Sequence, residues 1–104
     1  MQHFFSQLAA FERDGQPFAL CTVIDAGGST PGRVSFHMAV LPDGRSFGTV
    51  GGGKLEHLCT EAALEVLRKG HARIVEYHLD KSAQGIGMAC GGTVRVFIEN
   101  VAAR

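Results

Sequence analysis

GGGKLEHLCTEAALEVLRK, residues 51–69, joins a triple glycine to the strongest helical pattern in the chain. Its apolar residues recur at helical spacing and form a single stripe: Leu55, Leu58, Cys59, Ala62, Ala63, Val66 and Leu67. Gly70 follows and predicts the end of the helix, because glycine readily adopts the left-handed conformation that closes many helices. A helix with one apolar stripe covers another layer, so we expect this helix to pack on a sheet.

The rest of the chain supplies that sheet and a second helix. Apolar spacing predicts a short helix over residues 2–13. Strand patterns cover Phe18–Ile24, Phe36–Leu41, Arg45–Val50, Arg73–Leu79 and Thr93–Glu99. The turn Pro42-Asp43-Gly44 separates the second and third strands and predicts a β-hairpin. The expected fold is α+β, one small domain over residues 1–104 with a mixed β-sheet, a β-hairpin and helices that cover the sheet.

Composition excludes several classes of protein. The chain has 104 residues, with ten basic and ten acidic side chains and a formal net charge of zero. Without a long basic run, we expect no nucleic acid and no membrane as partner, whereas a near-neutral surface permits a homodimer. Three cysteines without a CxxC spacing argue against a disulfide framework and fit a reducing, cytoplasmic location.

The glycine turn 51–53 is the first candidate binding site. A turn of this kind that leads into a helix presents unpaired N–H groups at the positive end of the helix dipole, which suits a phosphate. Lys54 adds charge, and Glu56 can accept a hydrogen bond from a ligand. Leu55 stands where a P-loop requires Ser or Thr, which excludes a nucleotide triphosphatase. The alternative is a tight strand-to-helix turn without a ligand.

A second candidate is the polar turn over residues 28–33. Ser29 and Thr30 offer hydroxyl groups, and Arg33 offers a planar guanidinium that can bind a phosphate or a carboxylate. The alternative is a proline-containing loop with a solvated arginine.

The third candidate is Cys90, which lies within the glycine-rich segment Gly85–Gly92. A thiol in such a loop can act as a nucleophile, a metal ligand or a sulfur carrier if its thiolate is stabilised. The alternative is a small side chain that fills a tight turn. Cys21 and Cys59 lie within apolar patterns, so we expect both to be buried core thiols.

Together, these motifs resemble the N-terminal domain of the XdhC/CoxI family, accessory proteins of xanthine dehydrogenase and related molybdenum hydroxylases. The matching segments are Pro17–Val23, Gly28–Pro31, Met38–Val40 with Asp43-Gly44, Gly48–Gly53 with Glu56, and Gly87–Glu99. The resemblance implies a chaperone that binds the molybdenum cofactor (molybdopterin) as cargo and protects it. It also implies sulfuration of the cofactor with a cysteine desulfurase and its delivery to an apo-molybdoenzyme such as xanthine dehydrogenase.

The resemblance also implies which residues bind the cofactor. These are Ser29, Thr30, Arg33, Gly51, Gly52, Gly53, Glu56, Cys90, Gly91 and Gly92. Cys90 would face the metal, since a thiolate is a soft ligand suited to molybdenum or its labile sulfur. Delivery requires binding and release without turnover, so no catalytic residue is assigned. Family members commonly carry a second, Rossmann-like domain, so the resemblance implies that any activity or contact that depends on that domain is absent here or is supplied by another chain.

Two other classes of function stay open at this point. One is a cysteine-dependent sulfur-transfer or redox enzyme with Cys90 as its nucleophile. The other is a structural or regulatory adaptor that keeps the fold and has lost cofactor binding. The second is motivated by Lys54, which stands where a cysteine often follows the triple glycine in the family.

Overall fold

A five-stranded sheet with a helix on each face forms the described part of the chain. The computed structural model describes residues 3–28, 33–79 and 92–101. The elements in chain order are α1 (Phe4–Arg13), β1 (Phe18–Gly27), β2 (His37–Val40), β3 (Ser46–Gly48), α2 (Gly53–Lys69), β4 (Arg73–Leu79) and β5 (Gly92–Val101). Across these ranges, neither helix is long and apolar enough to cross a membrane.

The strand order is β3-β2-β1-β5-β4, and every described pair is antiparallel. The α+β class and the β2–β3 hairpin are confirmed, whereas the sheet is antiparallel where a mixed sheet was expected. The reason lies in the connections. The chain reverses direction between consecutive strands that lie side by side in the sheet, namely β1 and β2, β2 and β3, and β4 and β5. Helix α2 carries the chain from the β3 edge to the β4 edge, and β5 then returns to the centre beside β1.

Helix α2 covers one face of the sheet with its predicted apolar stripe. Its buried residues are Leu55, Cys59, Ala63 and Val66. They pack in one cluster with alternate residues of β1, β2 and β5. At its end, Gly70 has φ +80° and donates its N–H to the carbonyl of Val66 at 2.7 Å, so the predicted helix stop is confirmed.

Helix α1 covers the opposite face near β1 and β2. Phe4 and Phe11 of the helix are buried against Phe18, Ala39 and Leu41. Since side chains alternate along a strand, β1 directs one set of apolar residues to α2 and the other to α1. The continuous apolar run of β1 is explained by this cover on both faces.

Candidate functional site

Described residues that border the three candidate segments lie at one end of the sheet, where β1 finishes and β5 begins. The register places Gly27 opposite Thr93 and Gly92 opposite Leu79. Strand β3 also finishes at this end, because it is antiparallel to β2, and the turn 51–53 follows it directly. The topology therefore brings the start of α2, the start of β5 and the end of β1 to the same side of the molecule.

The turn over residues 51–53 has a conformation that only glycine adopts readily. The φ angles of Gly51, Gly52 and Gly53 are +137°, +90° and +57°. Gly52 is the N-cap of α2, and no side chain caps the helix. The N–H groups of the first helical turn have no intrahelical acceptor. A Cβ on Gly52 would meet nothing within 4 Å, so the space beside its Cα is open.

Thr49 joins the end of β3 to the first turn of α2 through its hydroxyl group. Its Oγ1 accepts a hydrogen bond from the N–H of Gly51 at 3.0 Å and donates one to Oε2 of Glu56. The N–H of Thr49 donates to the carbonyl of His37 at 2.9 Å. Thr49 and Glu56 are both half-buried. Thr49 thereby links the glycine turn to β2 through its backbone N–H and to α2 through its side chain.

Phe4 and His37 pack against Gly48, the last residue of β3. Gly48 has φ +84°, and a Cβ there would lie 2.5 Å from the carbonyl oxygen of His37 and 2.7 Å from Cε1 of Phe4. The His37 ring stacks on Phe4 with ring centroids 6.0 Å apart, and its Nδ1 lies 3.2 Å from Oγ1 of Thr22. Gly48 is therefore required by packing, because any side chain would displace these groups.

The structure places part of the predicted site. It brings Gly51, Gly52, Gly53 and Glu56 together at the start of α2. Arg33 is exposed in the turn before β2, where its carbonyl accepts a hydrogen bond from the N–H of Phe36 at 2.9 Å. Gly92 is buried as the first residue of β5. Ser29, Thr30, Cys90 and Gly91 lie outside the described residues.

Cys21 and Cys59 are buried core thiols, as predicted. Burial, with a smaller contribution from the nearby Glu56 carboxylate, raises the pKa of the Cys59 thiol to about 12. Burial also raises the pKa of Cys21, to which Cys59 contributes. Both thiols stay protonated at neutral pH, so neither supplies a thiolate for chemistry or for metal binding.

Thr49 is the residue of this site that sequence reasoning missed. It lies two residues before Gly51 and seven before Glu56, its two partners. A hydroxyl residue just before a glycine turn, with an acidic residue in the following first helical turn, is the signal that marks such a link.

The fold and the turn define a class of α+β domain with an uncapped, glycine-rich helix start at one end of an antiparallel sheet. Within that class, the chain belongs to the XdhC and CoxI family, whose sequence profile matches residues 11–78. It is 36% identical over 97 residues to the uncharacterized protein YqeB of Escherichia coli strain K12. It also matches a crystal structure from Bacillus halodurans, titled a xanthine dehydrogenase, with a TM-score of 0.78 and 30% identity.

Both relatives are much longer than this chain. The match to YqeB covers 92% of the chain and 18% of YqeB. The match to the Bacillus halodurans protein covers 92% of the chain and 30% of that protein. The chain thus spans less than a third of either relative, and it matches one part of each.

Proposed function

We propose that this protein binds the molybdenum cofactor as cargo and delivers it to an apo-molybdoenzyme. Membership of the XdhC and CoxI family supports a role linked to molybdenum enzymes, as does the likeness to a Bacillus halodurans protein titled a xanthine dehydrogenase. The observation that carries the proposal is the uncapped turn 51–53, which borders open space at the sheet end where β5 begins. Cargo transfer needs binding and release only, so no catalytic residue is assigned.

Residues at the start of α2 and in the segment before β2 suit the phosphate tail and the pterin ring of this ligand. Its phosphate tail matches the free N–H groups of the first helical turn and the positive end of the helix dipole. The guanidinium of Arg33 offers a second, planar partner for phosphate oxygens. Glu56 uses Oε2 for Thr49, which leaves Oε1 as an acceptor for N–H donors of the pterin ring. Ser29 and Thr30 would add hydroxyl groups to the same site.

Cys90 is the thiol that we assign to the metal end of the cargo, next to Gly91 and Gly92. The other two cysteines of the chain, Cys21 and Cys59, are buried and protonated. A thiolate is a soft ligand that suits molybdenum or its labile sulfur. A chaperone of this kind would work in the cytoplasm with a cysteine desulfurase and the apo-enzyme, alone or as a homodimer.

A pair of matched glycine variants tests the carrier function. Gly52 and Gly44 have φ of +90° and +92°, and a Cβ on either meets nothing within 4 Å. Substitution by alanine strains the backbone at both positions, because both φ angles are positive, but only Gly52 lies in the proposed site. We expect Gly52→Ala to lower bound pterin and molybdenum after anaerobic purification from cells that make the cofactor, and Gly44→Ala to retain the wild-type content.

Cys90→Ala tests the metal end in the same preparation. We expect it to lose molybdenum or its labile sulfur while its thermal unfolding stays that of the wild type. Wild-type protein that contains no pterin, and that takes up none from released cofactor, would contradict the carrier function and favour the adaptor. Turnover of a small molecule that depends on Cys90 would instead favour the enzyme.

A further inference from the structure

We propose that β4 pairs antiparallel with β4 of a second copy of this chain, so that two five-stranded sheets join into one. The strand order places β4 at one edge of the sheet and β3 at the other. In the part of the chain that the structure describes, no strand pairs with the outer side of β4. The N–H and C=O groups on the outer side of an edge strand can pair with a further strand. The inference does not depend on cofactor binding, because β4 contributes no residue to the proposed cofactor site.

The two edges of the sheet differ in how well they are protected from such pairing. Strand β3 spans only Ser46–Gly48 and ends at a glycine with φ +84°. Very short edge strands, prolines and bulges hinder the addition of another strand. Strand β4 is seven residues long, contains neither proline nor glycine, and pairs with β5 from Arg73 to Leu79 without a bulge. The β4 edge is therefore the one that can accept a partner.

The charged side chains Arg73 and Glu76 do not protect the β4 edge either, because each has an opposite charge beside it. Nη1 of Arg73 lies 3.5 Å from Oε1 of Glu65, and Nε of Arg95 lies 3.9 Å from Oε1 of Glu76. An incoming strand would therefore meet balanced charges. Ile74, by contrast, is an apolar side chain that is 51% exposed. A neighbouring strand would cover it and remove apolar area from water.

The sequence of β4 favours one register for a pair of strands related by two-fold symmetry. With Glu76 at the centre, two carboxylates would lie opposite each other, which is unfavourable. With Ile74 at the centre, only residues 73–75 of each strand would pair, and with Tyr77 at the centre, Ile74 would stay uncovered. With Val75 at the centre, residues 73–77 pair, and Arg73 of the second copy lies opposite Tyr77.

That register brings opposite charges together on the face of the sheet that α2 covers. The hydroxyl group of Tyr77 donates to the carbonyl of Leu58 at 3.2 Å, and Glu61 follows Leu58 by about one helical turn. All three line a mostly polar groove of about 430 Å³ between α2 and β4. Among the described residues, Glu61 pairs with His57 at 3.3 Å, an imidazole that is charged only when protonated. Arg73 of the second copy would supply a guanidinium beside Glu61, and the symmetry repeats this contact.

Sedimentation equilibrium over a range of protein concentrations measures the association. We expect a dimer whose dissociation constant rises about tenfold in Ile74→Glu, because that carboxylate would lie opposite Glu76 of the second copy and the symmetry repeats the repulsion. Val34→Glu is the matched control, since Val34 is 56% exposed and lies outside β4. It should stay within about twofold of the wild type. Thermal unfolding shows that the compared variants are folded.

Two charge reversals test the register. Arg73→Glu and Glu61→Arg each set like charges opposite each other, so each variant alone should dimerise about tenfold more weakly than the wild type. In a mixture of the two variants, the new glutamate of one chain meets the new arginine of the other, and the unchanged Arg73 meets the unchanged Glu61. The mixed dimer should therefore form within about threefold of the wild-type affinity. A loss caused by damage to the single chain would not be restored by mixing.

Amide hydrogen exchange locates the contact on the chain. Exchange of residues 73–77 should slow as the protein concentration rises, whereas that of residues 46–48 on the β3 edge should not change. A wild-type protein that stays monomeric, a dimer that Ile74→Glu leaves intact, or charge variants that do not associate when mixed would overturn the β4 interface. None of these results bears on the carrier function.

Discussion

Gly48 and Gly52 both have positive φ angles, +84° and +90°, but their surroundings differ. A Cβ on Gly48 would collide with the backbone of His37 and the ring of Phe4, whereas a Cβ on Gly52 would meet nothing. At Gly48 the missing side chain makes room for protein atoms. At Gly52 the glycine conformation directs the chain into α2 and leaves the adjoining space open, which is what a ligand requires.

Substitution of Gly48 tests this distinction. We expect Gly48→Ala to lower the free energy of unfolding by about 2–5 kcal/mol, because left-handed strain and a backbone clash add together. Gly15→Ala is the control, since Gly15 has φ +71° and open space around its Cβ position, and should cost about 1–2 kcal/mol. Denaturant unfolding of both variants measures the difference, and equal losses would show that packing at Gly48 is not tight.

Single residues of the site were predictable to the extent that they carry a local signal. The glycine turn and Glu56 were predicted because glycines before an amphipathic helix point to an open helix start. Thr49 and His37 were not, because their contacts join separate elements through a β-hairpin register that local patterns do not fix. The roles predicted for Ser29 and Cys90 stay predictions.

Helix α2 and the sheet share a set of buried titratable groups. Cys59 on the helix lies with Cys21 of β1 in the core. Tyr77 of β4 donates its hydroxyl proton to the carbonyl of Leu58 at 3.2 Å. Burial, followed by the two cysteines, raises the pKa of Tyr77 to about 12. These groups favour their neutral forms in the folded protein, so the contact between α2 and the sheet is sensitive to high pH.

The sign of that pH dependence follows from the pKa of Cys59, which is raised from 9.0 to about 12. In the unfolded chain the thiol loses its proton as the pH passes 9, while the folded protein retains the proton. The contribution of Cys59 to the free energy of unfolding should therefore be constant below pH 9 and fall as the pH rises toward about 12.

Chemical unfolding at a series of alkaline pH values measures this loss. Cys59→Ala removes one of the groups, so its free energy of unfolding should decline less steeply over the same interval. A wild-type stability that stays flat or increases above pH 9 would contradict the neutral, buried state of these groups.

The elements themselves were predicted well where the pattern was local. Helix α2 was expected from residue 54 and begins at Gly53, and β4 has the predicted bounds. Strand β1 was expected to end at Ile24 but continues to Gly27, because β5 pairs with it beyond a bulge between Val23 and Asp25. A partner strand far away in sequence extends β1, and periodicity within β1 carries no information about that partner.

At the scale of the molecule, the antiparallel order gives the sheet two distinct ends. The proposed site occupies the end where α2 and β5 begin. A groove of about 480 Å³ lies at the other end, lined by Pro17, Pro42, Leu64, Leu67, Arg68 and Asn100. The groove is mostly apolar, and Arg68 is the charged residue in its lining. Its shape alone would make it a candidate site, whereas the N–H groups at the start of α2 favour the glycine end for a phosphate.

Chemical-shift mapping by NMR distinguishes the two ends. When molybdopterin is added anaerobically, we expect the amide signals of residues 51–53 and of Gly92 to shift. Those of Leu67 and Asn100, which line the groove, should stay in place. Gly52→Ala serves as the control and should abolish the shifts at the glycine end. Shifts confined to Leu67 and Asn100 would place the ligand in the groove and refute the assignment of the site to the start of α2.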